Sequence, residues 1–515
     1  MKLAIAALPA AASAFIIPQI VLQGLEEVFT LDSEEQPATV KIGSAPAYLD
    51  LPPVDSESLQ SLITHEDLNA SAIELFNIAN SSIPMFDHPT RVIGSPGHWK
   101  TLDWIRGQLD NMSDYYTYTT QEFDAPDSKI FNYSLKVDFI EVTDVQPFSM
   151  TPPAHVWNGE IFEVANLGCD DADYVGLNDT IPGLKPVDVV ALIKRGECPF
   201  GNKSTLAGKW GAKAALIYDP STDELMSGGT LGEPSNSTVG TLGITKALAE
   251  SLIAKKKIGL GRINLFIAAK LGYIKTKNII ADTIYGDKDN VVALGAHSDS
   301  VDAGPGINDD GSGTISLLTV AKALTNFQIN NTVRFAWWAA EEEGLLGSNF
   351  YAYNLTAAEN QQIRLFMDYD MMASPNYEYQ VYNGSNAVNP VGSEELKQLY
   401  IDYYDSKGLP CALVPFDGRS DYVGFIENGI PGGGIATGAE GINPANNITY
   451  DICYHELCDN LTNIAWDAFL VNTQLIAHSV ATYASDLTEF PPREPIKETM
   501  INAFEFPRRG DKFIV

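Results

Sequence analysis

The sequence is short of positive charge, of histidine and of cysteine. Its 515 residues include 33 lysines and arginines against 66 aspartates and glutamates, which gives a formal net charge of −33. A chain this acidic repels phosphate backbones, so we expect no nucleic-acid partner, whereas a cationic group on a substrate would be attracted. The seven histidines and five cysteines are few enough to be considered one by one.

Long apolar runs are also missing beyond the N-terminus, so no later segment is predicted to cross a membrane. The first residues, MKLAIAALPAAASAF, place Lys2 before a short apolar run and small residues at 12–14, which is the anatomy of a secretory signal peptide over 1–14. Apolar character continues to Val21 and leaves a signal anchor as the alternative, but Pro18 interrupts it and favours cleavage. We expect secretion, or alternatively a vacuolar location, without stable membrane insertion after cleavage.

Export is also indicated by many Asn-x-Ser/Thr sequons, the acceptors of N-linked glycans. The candidates are Asn69, Asn80, Asn111, Asn132, Asn178, Asn202, Asn236, Asn330, Asn354, Asn383, Asn447 and Asn460. Together with the leader, they predict a glycoprotein. In an oxidising compartment close cysteines are expected to be bridged, which leaves Cys411 as the odd, free thiol.

Composition and the spacing of apolar residues change along the chain and predict its domains. Residues 15–60 are acidic and proline-punctuated, and they fit either a propeptide or an N-terminal arm. Apolar spacings of three and four predict helices over 61–135, whereas 136–270 contains short β-branched runs between turn residues. Strands and helices alternate over 271–490, and 491–515 is a tail. We therefore predict a larger domain made of 61–135 and 271–490, with a small β-rich domain inserted into it.

Acidic residues and histidines gather where the strands of the larger domain are predicted to end. Alternation of strand and helix predicts an α/β/α sandwich with a mixed, largely parallel sheet, whose sites lie outside the carboxyl ends of the strands. Four segments supply such residues: His297 with Asp299 and Asp309, the glutamates at 341–343, Asp368 with Asp370, and His455 between Cys453 and Cys458. Carboxylates gathered at one edge repel each other, and a shared proton would not explain the histidines. A divalent metal explains both, because zinc accepts Asp, Glu and neutral His.

These segments resemble the co-catalytic di-zinc aminopeptidases, especially the members of the aminopeptidase Y and large secreted leucine aminopeptidase type. Residue type, spacing and order match over about 290–465, and RVIGSPGHWKT near 91–101 resembles the family's N-terminal helix region. The matching segments are HSDSVDAGPGINDDGSG, RFAWWAAEEEGLLGS, DYDMMASPN, FDGRSDYVGF and CYHELCDN. The resemblance implies a metalloexopeptidase that uses a metal-bound hydroxide to release N-terminal, Leu-like residues from peptides with a free N-terminus. It favours no oligomeric state.

The resemblance also implies the ligands of two Zn²⁺ per subunit. The first ion takes His297, Asp309 and Asp370, and the second takes Asp309, Glu342 and His455. Asp309 would bridge the two ions, and Asp370 fits the pattern better than Asp368. The family has a cis peptide bond after the bridging aspartate, so the bond between Asp309 and Asp310 is expected to be cis.

Further roles follow from the same resemblance. Glu341 matches the general base, Asp299 the residue that holds His297, and Tyr454 the donor to the developing oxyanion. Arg419 matches a substrate-positioning residue, although an ion pair of purely structural use is the alternative. The three consecutive glutamates leave a register shift of one residue open, because the family usually has two acids and then an apolar residue.

The inserted segment resembles the protease-associated domain. Its marks are a Gly-Cys turn, an apolar strand and the run Arg-Gly-x-Cys-x-Phe before a helix. Cys169 and Cys198 both fall in this module and form a candidate disulfide, while the resemblance supports a disulfide between Cys453 and Cys458 that would stiffen the His455 loop. The module serves either as a lid or docking surface or as a passive insert.

Three other functions are compatible with parts of the pattern. A carboxypeptidase would need cationic groups for a terminal carboxylate, and the predicted rim is acidic. A glutaminyl-cyclase-like enzyme works with one zinc. A binding protein that has lost activity would lack ligands, whereas every ligand position is filled here.

Overall fold

The computed structural model describes residues 48–495, apart from 178–186, 224, 227–228, 233–235 and 386–388. The signal peptide predicted over 1–14 and the sequon at Asn178 lie outside the described residues. Within the described part of the chain, no helix is long and apolar enough to cross a membrane.

Helices and strands alternate along most of the described chain. The helices are α1 (Ser56–Ser61), α2 (His65–Ala79), α3 (Ile83–Phe86), α4 (Pro96–Asp110), α5 (Phe200–Lys209), α6 (Lys246–Lys256), α7 (Gly311–Leu324), α8 (Leu346–Asn354), α9 (Ala357–Gln362), α10 (Ser393–Ser406), α11 (Tyr422–Glu427) and α12 (Trp466–Ser485), with 3₁₀ turns at Asn80–Ser82 and Asp171–Tyr174. The strands are β1 (Tyr116–Val137), β2 (Ile140–Val142), β3 (Val145–Pro147), β4 (Ala154–Glu163), β5 (Val189–Lys194), β6 (Ala214–Tyr218), β7 (Gly240–Ile244), β8 (Ile263–Thr283), β9 (Asp287–His297), β10 (Asn331–Trp338), β11 (Ile363–Tyr369), β12 (Tyr379–Tyr382), β13 (Cys411–Val414), β14 (Gly432–Ala436), β15 (Ile442–Asn443) and β16 (Ile448–Thr449).

The sheet of the larger domain has the order β13-β12-β14-β11-β9-β10-β8. Strands β14, β11, β9 and β10 run parallel to one another, whereas β12 and β8 pair antiparallel to their inner neighbours. Successive side chains of a strand point to opposite faces. Accordingly β9 sends Val292, Leu294 and Ala296 into one core and Val291 and Ala293 into another.

Helices cover both faces of this sheet. The first core is closed by α1, α2, α4, α7, α10 and α12, and the second by α8 and α11. Burying one large apolar side chain contributes about 1.5–3 kcal/mol, so these two apolar layers hold the helices on the sheet. The predicted α/β/α sandwich with a mixed, largely parallel sheet is confirmed.

A long antiparallel ribbon carries the inserted domain. Strands β1 and β8 contain 22 and 21 residues and pair along their whole length. One end of β8 pairs with β10, and the other end pairs with β4, from which β5, β6, β7 and β3 continue the sheet. Helices α5 and α6 cover this second part, which has its own apolar cores. The predicted disulfide between Cys169 and Cys198 is confirmed there, with Cα atoms 5.7 Å apart.

Two segments differ from the sequence-based expectations. Helices were expected up to residue 135, but the chain becomes strand β1 at Tyr116. That expectation was wrong because the segment begins with YTYT, whose alternation has the period of two that marks a strand. Residues 48–60, assigned to a propeptide or arm, pack on the larger domain: Tyr48 stacks on Tyr285 with ring centroids 3.5 Å apart, and Leu59 is buried.

Close packing around β9 makes a prediction for stability. A Cβ atom at Gly295 would overlap Nε1 of Trp338 and lie 2.9 Å from the ring of Phe366, so we expect Gly295→Ala to lower the free energy of unfolding by about 1–3 kcal/mol. Gly107, in helix α4, has open space where a Cβ would lie, and Gly107→Ala should raise stability by about 0.5–1 kcal/mol. Urea unfolding of both variants checks this, and a Gly295→Ala protein as stable as wild type contradicts it.

Candidate metal centre

Three adjacent parallel strands deliver most of the predicted site residues to one edge of the sheet. His297 is the last residue of β9, and Asp370 directly follows β11. Glu341 and Glu342 follow β10 by a short turn. Because β10, β9 and β11 are parallel, their carboxyl ends meet at the same edge, where sites of open α/β sheets form.

Asp309 reaches this edge on the loop between β9 and α7. Its peptide bond to Asp310 is cis, as predicted. The Asp310 side chain caps α7 by accepting a hydrogen bond from the N–H of Gly313 at 2.8 Å. It also accepts from the N–H of His297 at 3.1 Å and of Met371 at 3.2 Å, so it joins the ends of β9 and β11 to the start of the helix.

His455 comes from a separate loop that a disulfide closes. The predicted bond between Cys453 and Cys458 is confirmed, with Cα atoms 5.2 Å apart. His455 itself has a left-handed backbone with φ of 58°. The ring of Tyr454 stacks on its imidazole at a centroid distance of 3.8 Å. The loop therefore presents the imidazole in one orientation.

The structure brings the predicted ligands together as two triads that share Asp309. The first triad is His297, Asp309 and Asp370, and the second is Asp309, Glu342 and His455; in each, the ligand atoms lie within 4.8 Å of one another. Asp309 turns one oxygen to each triad: Oδ1 is 3.1 Å from Nε2 of His297, and Oδ2 is 3.3 Å from Nε2 of His455. The remaining spacings are 3.8 Å from His297 to Asp370 and 3.1 Å from His455 to Glu342.

The carboxylates of the two triads raise the pKa values of both histidines. Burial opposes a charge on His455, but Glu342 and Asp309 override it and raise its pKa to about 11. Burial likewise opposes a charge on His297, and the carboxylates of Asp299 and Asp309 still raise its pKa well above the ordinary value. Without another cation, both imidazoles would take up protons.

The pKa values of the carboxyl groups are shifted as well. Burial raises the pKa of Asp370 to about 6, with His297 opposing the shift, and it raises the pKa of Glu341 well above its ordinary range. Asp309 is the exception: burial also favours its protonation, but hydrogen bonds from His297 and His455 lower its pKa. Oε1 of Glu342 and Oδ1 of Asp370 are buried and, among the described residues, have no hydrogen-bond partner.

These observations fit two zinc ions. Ligand atoms bound at about 2.0–2.2 Å to one tetrahedral Zn²⁺ stand about 3.3 Å apart, which is close to the spacings within both triads. The donors are imidazole nitrogens and carboxylate oxygens, which zinc accepts, and two of the buried carboxylate oxygens without a partner, those of Glu342 and Asp370, belong to triad members.

The structure also distinguishes the positions of the three consecutive glutamates 341–343. Glu342 belongs to the second triad, Glu341 lines the adjoining cavity, and Glu343 does neither. Glu341 is 8% exposed, and its Oε2 lies 3.9 Å from Nε2 of His297. Asp299 accepts hydrogen bonds from the N–H groups of Glu341 and Glu342, at 3.3 and 3.4 Å, and its carboxylate is 3.8 Å from Nδ1 of His297.

A cavity of about 260 Å³ opens beside the triads. Met371, Val414, Pro415 and Ala436 give it an apolar wall, and carboxylates line the side next to the triads. At its rim Arg419 donates a hydrogen bond to Tyr454 Oη at 3.1 Å and to Glu440 at 2.9 Å. The arrangement suits a small substrate with an apolar group and a positive charge.

Sequence reasoning gave no role to two buried charged residues that contact the loop bearing Asp309. Arg91 is fully buried and donates to backbone carbonyls of that loop, and Asp459 is 2% exposed and accepts from its backbone N–H groups. Arg91 lies in RVIGSPGHWKT and Asp459 directly follows Cys458, so both stand in segments that the resemblance marked. Only the three-dimensional contacts reveal what they bind.

Comparison with known proteins identifies the family of this chain. Residues 278–480 match Peptidase family M28, and residues 157–252 match the PA domain. The chain is 51% identical to aminopeptidase Y of Saccharomyces cerevisiae over 98% of this chain and 96% of that protein. It is 41% identical to a probable leucine aminopeptidase 2 of Aspergillus oryzae, over 83% of this chain and 86% of the other. The solved aminopeptidase from Aneurinibacillus sp. strain AM-1 superimposes with a TM-score of 0.71 at 26% identity, covering 86% and 99% of the two chains.

The shared carboxylate makes a prediction about metal content. We expect two Zn²⁺ per chain in the wild type, about one in Glu342→Ala, which removes a ligand of the second triad alone, and none in Asp309→Ala, which removes a ligand of both. Glu343→Ala is the matched control and should retain two. Inductively coupled plasma mass spectrometry of desalted protein measures the ratio, and two ions retained by Asp309→Ala would contradict a shared ligand.

Proposed function

This chain belongs to peptidase family M28, and from that premise we propose that it is a zinc-dependent aminopeptidase that releases single residues from the N-terminus of peptides. The observation that carries the proposal is the pair of triads that share Asp309 beside a cavity of about 260 Å³. The aminopeptidases similar to this chain along almost its whole length support it.

Two Zn²⁺ would be held by His297, Asp309 and Asp370 and by Asp309, Glu342 and His455. When bound, they supply Lewis acidity, which polarises the scissile carbonyl and brings the pKa of water down to about 7. The carboxylate of Asp299 accepts hydrogen bonds from the backbone N–H groups of Glu341 and Glu342 and lies next to His297, so it fixes the direction of ligands in both triads.

Glu341 is the general base in this proposal. It lies at the cavity without belonging to a triad, so its carboxylate stays free to take the proton of the attacking water and to pass it to the leaving amine. Burial raises the pKa of Glu341 above the ordinary value of a glutamate. Tyr454, held by Arg419, directs its hydroxyl toward the cavity rim and would donate to the developing oxyanion.

The cavity also supports recognition of a free N-terminus. An α-ammonium group is favoured by the carboxylates around the triads, whereas a terminal carboxylate would need an unpaired cation, and Arg419 is paired with Glu440. The apolar wall formed by Met371, Val414 and Pro415 suits a Leu-like side chain. Arg419 would position the substrate through its contacts with Tyr454 and Glu440.

We further propose that the protein is secreted or delivered to a vacuole as a glycoprotein. The two disulfides support an oxidising compartment. Seven of the sequon asparagines are exposed on the surface: Asn69, Asn111, Asn132, Asn236, Asn330, Asn354 and Asn447. Since Tyr48 packs on the larger domain, a removable propeptide would end before that residue. The domain boundaries near 135 and 270 then lie within the ribbon that joins the catalytic and protease-associated domains.

The role of Glu341 can be separated from that of its neighbour. We expect Glu341→Gln to lower kcat by about 10²–10⁴-fold while zinc content and the unfolding midpoint stay at wild-type values, because the amide cannot accept the proton. Glu343→Gln makes the same chemical change two residues away and should keep kcat within a few-fold of the wild type. Equal losses in both variants, or a larger loss in Glu343→Gln, would contradict the assignment.

Substrate panels test the reaction itself. We expect leucine p-nitroanilide to be hydrolysed and N-acetyl-leucine p-nitroanilide to resist, because acetylation removes the positive charge that the acidic cavity attracts. Incubation with 1,10-phenanthroline should abolish the activity and added Zn²⁺ should restore it. Release of C-terminal residues from N-acetylated peptides would instead indicate a carboxypeptidase, and activity that survives complete chelation would exclude the zinc mechanism.

A further inference from the structure

The loop that carries Asp309 is held by a buried cation on one side. This loop, residues 298–309, connects the end of β9 to the start of α7. The guanidinium of Arg91, which is 0% exposed, donates to three of its backbone carbonyls: Ser298 at 2.5 Å, Pro305 at 2.8 Å and Gly306 at 2.5 Å. The N–H of Arg91 also donates to the hydroxyl of Ser300 at 2.9 Å. Both ends of the loop are thereby fixed to one rigid side chain.

A buried anion holds the same loop by its amide groups. Asp459 accepts hydrogen bonds from the N–H of Asn308 at 2.9 Å and of Asp309 at 3.0 Å, one on each carboxylate oxygen. Its backbone carbonyl accepts from the N–H of Ile307 at 3.1 Å. The side chain of Asn463 donates to the same carboxylate at 3.2 Å and so fixes its rotation. Three consecutive N–H groups ending at Asp309 therefore bind one residue.

Asp459 also connects the segments that carry Asp309 and His455, two members of the second triad. It follows Cys458 directly, so it adjoins the disulfide-closed segment that presents His455. Its bonds to 307–309 tie that segment to the backbone of Asp309, whose Oδ2 lies 3.3 Å from Nε2 of His455. A shift of these contacts would move Asp309 relative to His455 and would leave His297, at the end of β9, and Asp370, directly after β11, in place.

We propose that Arg91 and Asp459 are positioning residues that set the affinity of the metal centre by fixing the loop 298–309, so that the two oxygens of Asp309 face both triads. This inference rests on the two metal sites proposed above. Neither side chain belongs to a triad, and their opposite charges match the carbonyl and the amide groups that they bind. Outer contacts of this kind orient metal ligands and alter metal affinity when they are lost.

A purely structural role is the competing explanation, and a matched variant separates the two. Asp173, in the inserted domain, is also buried and accepts from two consecutive N–H groups, those of Cys169 and Asp170, and from an asparagine side chain. Asp459→Asn and Asp173→Asn therefore make the same chemical change at a buried aspartate that binds two consecutive N–H groups. Only the first of them touches the loop that carries Asp309.

The experiment measures Zn²⁺ affinity by competition with a chromophoric chelator, together with the absorption spectrum of the Co²⁺-substituted protein and the thermal midpoint. We expect Asp459→Asn to bind the more weakly held ion about 10–100-fold less tightly and to change the Co²⁺ spectrum, because an amide group would turn a donor toward a backbone N–H. Asp173→Asn should lower the thermal midpoint alone.

Arginine-to-lysine variants provide an independent test in which the positive charge of the side chain is kept. Arg91→Lys should weaken metal binding because one ammonium cannot reach three carbonyls in the guanidinium geometry. Arg493→Lys is the control, since Arg493 also donates to backbone carbonyls, those of Asn360 and Ile363, in a different part of the fold. If Asp459→Asn cannot be recovered folded, the comparison of Arg91→Lys with Arg493→Lys decides the question.

The outcomes distinguish this inference from the proposed function. Wild-type protein that binds two Zn²⁺, with Asp459→Asn and Arg91→Lys binding them equally well, overturns the positioning role and leaves the function intact. Equal losses of affinity in the Asp173 and Asp459 variants also overturn it, because they would reflect general destabilisation. Wild-type protein that binds no Zn²⁺ overturns the proposed metal centre and this inference with it.

Discussion

Repulsion between buried carboxylates is the constraint that the rest of the structure accommodates. Asp309, Glu341, Glu342 and Asp370 converge on one edge of the sheet, and burial there raises the pKa values of Glu341 and Asp370. The neutral imidazoles of His297 and His455 offer ligand nitrogens, but they carry no positive charge that would offset the carboxylates. Two divalent cations would match four carboxylates charge for charge, whereas protonation would consume the groups that must bind metal and accept protons.

The fold brings these groups together at little cost to its core. The site residues stand where strands end, so the centres of β9 and β10 stay mainly apolar and pack into the two cores. The direction of the site's side chains then depends on loops that buried polar contacts hold. Asp310 joins the ends of β9 and β11, and Arg91 and Asp459 hold the loop 298–309. The site is thus a layer of hydrogen-bonded loops on a hydrophobic scaffold.

The sequence predicted the parts of this arrangement that are local. Strand periodicity, glycine-rich turns and the order of acidic segments were sufficient for the sandwich and for the edge where acids and histidines gather, whereas the division of the residues into two triads came from the family resemblance. Long-range contacts were not predictable in this way, because a single sequence has no pattern that links Arg91 to carbonyls more than 200 positions away. The long ribbon was missed at Tyr116 for another reason: its polar and aromatic residues alternate without the apolar run that marked the central strands.

The ribbon also determines how the inserted domain relates to the catalytic one. A domain attached through loops can rotate freely, but β1 and β8 pass from one core into the other while paired to each other throughout. Any displacement of the inserted domain must therefore bend a hydrogen-bonded pair of strands. The bend would cost least near Pro126, which has no N–H to donate, and near Gly272, which has open space around it. The attachment therefore restricts rotation of the inserted domain relative to the catalytic domain.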